Sequence, residues 1–170
     1  SKTLFIKKHK IMTILITGIT GMVGSHLLDF LIKNTDEKII GISRWRSPLN
    51  NISQHIPLIN TKKRLFLEHC DIRDSLGVNN VFQKNTFKLI FHLAAQSYPH
   101  VSFTNPIETY QTNIDGTENI LNASLKYSPN AVIHVCSSSE VFGRVPKEKV
   151  PIDEETSFHP ASPYAISKCG

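Results

Sequence analysis

Two short stretches carry side chains that can move protons. In "SPYAISK", Tyr164 and Lys168 are four residues apart, a spacing that places them on one face of a helix. An ammonium beside a phenol favours the phenolate and lowers its pKa. Such a tyrosine can exchange a proton near neutral pH, as hydride transfer at a carbinol carbon requires. In "SSSEVFG", Ser138 offers a hydroxyl and Glu140 a carboxylate just after an apolar run. A carboxylate at the end of a buried strand, near a tyrosine–lysine pair, is placed for acid/base work. Each pattern has a plainer reading when it stands alone: an exposed helix pair, and a surface glutamate at a strand end.

A third stretch, "TGITGMVGSH", sets Gly18, Gly21 and Gly24 three residues apart between an apolar run and a helix-like segment. Where a strand gives way to a helix, such glycines allow a tight turn, a close approach of backbone amides to a pyrophosphate, and close helix–strand packing. The helix N-terminus then offers free N–H groups and a positive dipole end to phosphates. The pattern predicts a dinucleotide site. After the second apolar run the chain reads "GISRWRS", with no acidic residue to bind a ribose diol. Arg44 and Arg46 stand there instead and suit a 2′-phosphate, so the cofactor expected is NADP.

These groups need a scaffold that brings them together. Apolar strands are expected at 12–17, 38–43, 64–71, 88–95 and 131–139, and helices at 22–34, 75–85 and 106–128. Near-continuous apolar strands alternating with helices predict an α/β chain with a parallel sheet covered on both faces. Right-handed crossovers predict the Rossmann-like doubly wound order 3-2-1-4-5. The polar connection from Arg44 to Lys63 is long; it reads equally as a flap over a ligand or as a mobile loop.

The chain has 170 residues and a formal net charge of +5. Residues 1–11 hold four lysines and no acid, and without them 15 basic residues face 14 acidic ones. The basic character belongs to a short extension, expected to be disordered, and not to a nucleic-acid-binding body. No apolar run approaches a membrane-spanning length. Cys70, Cys136 and Cys169 have no metal-type spacing, and the first two, ending apolar runs, read as buried thiols in a reducing cytoplasm. His92 and His134 lie inside strands and read as core histidines.

The motifs "TGITGMVGSHL", "HCDIRD", "HLAAQS", "NIDGTENIL", "SSSEVFG" and "SPYAISK", in that order, resemble the extended short-chain dehydrogenase/reductase superfamily in its NAD(P)-dependent epimerase/dehydratase branch. Within it, "GISRWRSPLNNI" and "HLAAQSYPHVSFTNPIETYQTNIDGT" are most similar to the GDP-mannose 4,6-dehydratase group. The resemblance implies a lyase that works by internal redox through NADP on a nucleotide-diphosphate sugar, GDP-mannose, yielding GDP-4-dehydro-6-deoxymannose. It implies Ser138, Glu140, Tyr164 and Lys168 as catalytic residues. Cofactor contacts are expected from Gly18, Gly21, Met22, Val23, Gly24, Arg44, Arg46, Asp71, Ile72, Leu93, Ala94, Ala95, Tyr164 and Lys168. Substrate contacts are expected from Gln96, Ser97, Ser138 and Glu140.

Asp71 and Ile72 match the family's adenine-contacting pair, although Asp71 also competes with Asp74 to cap the next helix. Asn113 is expected to steady backbone near the site. Trp45 either stacks on adenine or closes its loop. Ser138 stands where many dehydratases carry threonine, so a GDP-sugar 4-reductase or epimerase is the alternative. Residues 12–170 read as an NADP-binding domain that stops within the Tyr164/Lys168 helix. The C-terminal substrate part is then missing, and a non-catalytic nucleotide-binding remnant is a further alternative. Self-association through the 106–128 and Tyr164 helices is expected from the family.

Overall fold

Runs such as "TILIT" and "KIIGIS" are apolar at consecutive positions, so neither face of these strands tolerates water. The computed structural model, which describes residues 12–61 and 64–170, shows where the two faces go. Strands β1 (Thr13–Thr17), β2 (Lys38–Ser43), β3 (Leu65–His69), β4 (Leu89–His92) and β5 (Val132–Val135) form one parallel sheet in the order β3-β2-β1-β4-β5. This is the doubly wound order expected. β2 has the bounds expected and β1 starts one residue later, while β3, β4 and β5 are shorter than their apolar runs, whose last residues enter the loops beyond the strand ends. The expected extension at 1–11 lies outside the described residues.

Alternation within β1 divides the core in two. Ile14 and Ile16 pack on one side with Leu28 and Leu31 of α1 (Met22–Asn34). Leu15 packs on the other with Val78, Val81 and Phe82 of α2 (Ser75–Gln83) and Ile120 and Ala123 of α5 (Gly116–Tyr127). Two short helices, α3 (Pro99–Thr104) and α4 (Pro106–Tyr110), precede α5, and α6 (Pro163–Cys169) ends the chain.

Three expectations are corrected. The helix expected at 106–128 is not uniform: a π-helical turn, Gln111–Asp115, joins α4 to α5. The connection from Arg44 is not a loose loop. It holds a 3₁₀ segment, Asn50–Leu58, whose Ile52 is 1% exposed within the α1-side core. The His55 ring nitrogen and the Gln54 amide both meet the Asp29 carboxylate of α1, at 2.5 Å and 2.9 Å. Among the described residues β5 is paired on one side only, with β4, and there His134 is exposed and Cys136 half-buried. Its Val132 is 66% exposed.

Arg64 has a role that the sequence pattern does not reveal. Its guanidinium donates to the carbonyls of Leu31 (3.0 Å), Ile32 (3.2 Å) and Glu37 (3.2 Å), and to that of Thr35. It thereby ties the α1 C-terminus, where Leu31 O also accepts from the Thr35 N–H and hydroxyl, to the turn beyond. Among the described residues no helix is long and apolar enough to cross a membrane.

Candidate functional site

The C-terminal ends of the strands open into a cleft of about 620 Å³. The glycine turn forms one wall. Gly18 has φ +69°, and a Cβ there would meet the Ala94 backbone at 2.9 Å, so the turn after β1 and the loop after β4 approach at a distance only glycine permits. A Cβ on Gly24 would collide with the Gly18 carbonyl. The first α-helical hydrogen bond of α1 runs from Ser25 N–H to Gly21 O, 2.9 Å. The amides of Met22, Val23 and Gly24 therefore precede it, and no side chain caps them. They form a helix N-terminus suited to an anion.

Arg44 is exposed and lines both this cleft and a smaller annex shared with Thr20, Gly21, Ser47, Pro48, Asn50 and Asn51. Asn51 donates to the Thr20 carbonyl at 2.9 Å, tying the 3₁₀ segment to the glycine turn. Arg46 is exposed and does not line the cleft. Trp45 is 77% exposed and sits edge-on to His69, ring centroids 5.1 Å apart, also outside the lining. Beyond β3, Asp71 and Ile72 line the cleft. Asp74 is the α2 cap, accepting from Leu76 and Gly77 N–H. Asp71 instead forms a bidentate pair with Arg73, whose hydrogen bonds hold the carboxyl below the usual range.

The loop after β4 contributes Leu93, Ala94, Ala95, Gln96 and Ser97. Its shape is imposed from the π-turn. Asn113 Oδ1 accepts from Gln96 N–H at 2.8 Å, and Nδ2 donates to Gln96 O at 3.0 Å and to Ser167 Oγ at 2.8 Å. The Gln96 side chain is turned onto the backbone of Tyr98, bonding its N–H at 2.6 Å and its carbonyl at 3.2 Å.

Helix α6 starts at its cap Ser162, with Pro163 at the first position. The Tyr164 N–H donates to Ser102 Oγ of α3 at 3.0 Å, and Ser167 donates to Tyr164 O at 2.6 Å. Tyr164 and Lys168 both line the cleft. Lys168 Nζ donates to the Cys136 carbonyl at 2.6 Å, and burial lowers its pKa. Ser138 and Glu140 lie farther along the loop from β5. Ser138 Oγ accepts from Glu140 N–H at 3.2 Å and caps a 3₁₀ turn, Ser139–Phe142, that packs against α6. Glu140 is exposed, and the cleft is lined by Cys136 and Ser137 but by neither of these two.

The structure thus joins Gly18, Gly21, Met22, Val23, Gly24, Arg44, Asp71, Ile72, the 93–97 loop, Tyr164 and Lys168 around one cleft. Arg46, Ser138 and Glu140 stay outside it. Ser102 and Ser167, which brace the Tyr164 helix, went unrecognised: isolated serines in helical stretches carry no periodic signal.

A doubly wound parallel sheet with a glycine turn, an uncapped helix N-terminus and a tyrosine–lysine pair on one cleft defines a dinucleotide-binding unit of the short-chain dehydrogenase/reductase type. The family model described as GDP-mannose 4,6 dehydratase matches residues 15–170, and the chain belongs to this family, within the NAD-dependent epimerase/dehydratases.

Among relatives, a dTDP-glucose 4,6-dehydratase of Escherichia coli is 33% identical over 92% of this chain and 47% of its own length. The GDP-mannose 4,6 dehydratase of Drosophila melanogaster is 36% identical over 91% of this chain and 40% of its own. Among solved structures, UDP-glucose 4-epimerase of Thermotoga maritima with UDP-glucose has a TM-score of 0.80 at 29% identity, over 93% of this chain and 48% of that one. The dTDP-glucose 4,6-dehydratase of Streptomyces venezuelae, with NAD and TYD bound, has a TM-score of 0.81 at 26% identity, over 94% and 49%. The chain spans about half the length of the curated relatives it matches.

Proposed function

We propose that this chain is the NADP-binding part of a nucleotide-sugar 4,6-dehydratase whose substrate is GDP-mannose. One observation carries the reading: the glycine turn, Arg44 and the Tyr164–Lys168 pair share a single cleft. The amides at the start of α1 would hold the cofactor pyrophosphate, Arg44 and its annex the 2′-phosphate, and Lys168 the nicotinamide ribose. Bound there, NADP would supply a reversible hydride acceptor for the sugar.

Tyr164 takes the proton of the 4-hydroxyl, and Ser138 donates a hydrogen bond to the C4 oxygen. Once C4 is a ketone the C5 proton is acidic; Glu140 removes it and helps the 6-hydroxyl leave as water. Ser138 and Glu140 follow the cleft-lining Ser137 on the loop after β5.

A second reading, inversion or reduction at C4 without water loss, is favoured by the likeness to the Thermotoga UDP-glucose 4-epimerase. Titration of the chain with NADPH and NADH, followed by reduced-nicotinamide fluorescence, tests the cofactor assignment: saturation with a preference for NADPH supports it, and no binding of either refutes it. Product analysis with GDP-mannose then separates dehydration from the C4 reactions.

A further inference from the structure

His92 is 4% exposed and lies at the end of β4, outside the cleft lining. Both ring nitrogens are engaged. Nδ1 is 2.8 Å from Thr17 Oγ1 of β1, and Nε2 is 3.0 Å from Thr117 Oγ1 of α5. The partners dictate the proton positions. The Thr17 oxygen accepts the N–H groups of Leu93 and Ala94, both at 3.1 Å. Its lone pairs are filled, so its own proton goes to Nδ1. The Thr117 hydroxyl donates to the Asn113 carbonyl at 2.6 Å, so its oxygen must accept from Nε2–H. Two independent deductions give one neutral tautomer, and both ring nitrogens and both threonine hydroxyls are paired.

The relay ends at Asn113, whose side chain grips both backbone groups of Gln96 and bonds Ser167 of the Tyr164 helix. We propose that His92 is a positioning residue: its Nε2-protonated imidazole links the ends of β1 and β4 to the π-turn, and so sets the Gln96 loop and the Tyr164–Lys168 helix against the cleft. The proposal rests on the cleft being the nucleotide site. A histidine that merely filled the core would stabilise the fold without reaching the ligand.

The relay is cut without touching the cleft by Thr117→Val, which keeps the shape and removes the acceptor. With chain shown to be folded by far-UV dichroism, the expected NADPH affinity is about tenfold weaker than wild type, and Thr117→Ser restores it to within about twofold. In the nucleotide-free chain, the amide resonances of Gln96 and Ser167 shift in Thr117→Val and return in Thr117→Ser, and the His92 nitrogens show the Nε2–H tautomer. Unchanged Gln96 and Ser167 resonances, an Nδ1–H tautomer, or an NADPH affinity insensitive to Thr117→Val overturns the proposal. A wild-type chain that binds neither NADPH nor NADH, yet shows the expected resonance shifts, overturns the nucleotide-site reading and leaves the relay supported.

Discussion

The Asn113 carboxamide holds Gln96 by both backbone groups, accepting its N–H at 2.8 Å and donating to its carbonyl at 3.0 Å. One side chain from a π-turn thus sets the course of the loop that leaves β4 into the cleft. A π-turn adds a residue to the helix and re-aims the side chains around it, and Asn113 is buried at its centre. Asn113→Ala would leave the Gln96 groups unpaired, at a cost of about 2 kcal/mol. Asn113→Asp loses the two Nδ2 donations to Gln96 O and Ser167 Oγ and should behave similarly. Urea unfolding checks the stability. Amide exchange at Gln96 should quicken in both variants.

Arg44 is the cleft-lining cation beside the glycine turn on the β2 side. Arg44→Ala should weaken NADPH binding by tenfold or more, on the order of one charge-assisted hydrogen bond, and leave NADH nearly unchanged. Arg46→Ala should alter neither much, since Arg46 stays outside the cleft lining. Parallel fluorescence titrations with the two cofactors read both outcomes.

Burial pushes His92 down to about 4 from an ordinary 6.5, with the Lys168 charge adding to the same direction. As pH falls through 6.5 the unfolded chain takes up this proton and the folded chain does not. The contribution of neutral His92 to stability is therefore complete above pH 6.5 and lost progressively toward pH 4, about 3 kcal/mol in all. His92→Gln should remove this part of the pH dependence. Denaturant midpoints measured from pH 7 to pH 4 on both chains give the comparison.

Arg64 closes the C-terminal end of α1 through a fork that reaches several carbonyls. Arg64→Ala should destabilise the fold by about 2 kcal/mol. Arg64→Lys should recover little, because an ammonium cannot span acceptors on separate residues as a planar guanidinium does. Thermal melts of the three chains decide it, and nucleotide affinity well below the melting temperature should stay constant.

Much of this was legible in the residues. Continuous apolar runs separated by amphipathic stretches specify a parallel sheet with two covered faces, because only that arrangement buries both sides of each strand. The α1 boundaries, Met22–Asn34, follow from glycine before and periodic leucines within. Gly18, Gly24, Tyr164 and Lys168 stand out because backbone closeness and helix-face spacing are local properties.

Other features depend on neighbours that no local pattern names. His134 and His92 sit in similar apolar runs, yet among the described residues one is exposed on β5, paired there with β4 alone, and the other is sealed between Thr17 and Thr117. The Arg44–Lys63 connection looks structureless in sequence, but Ile52 and His55 dock it on α1. Arg44 and Arg46 are alike in type and two positions apart, and only the chain path beyond β2 brings the first to the cleft. Composition, periodicity and glycine spacing therefore determined the layers, the strand order and a cleft at the strand ends bordered by the glycine turn. Tertiary structure alone decided which polar groups meet across them, since a hydrogen bond between residues 75 or 25 positions apart depends on packing and leaves no periodic trace.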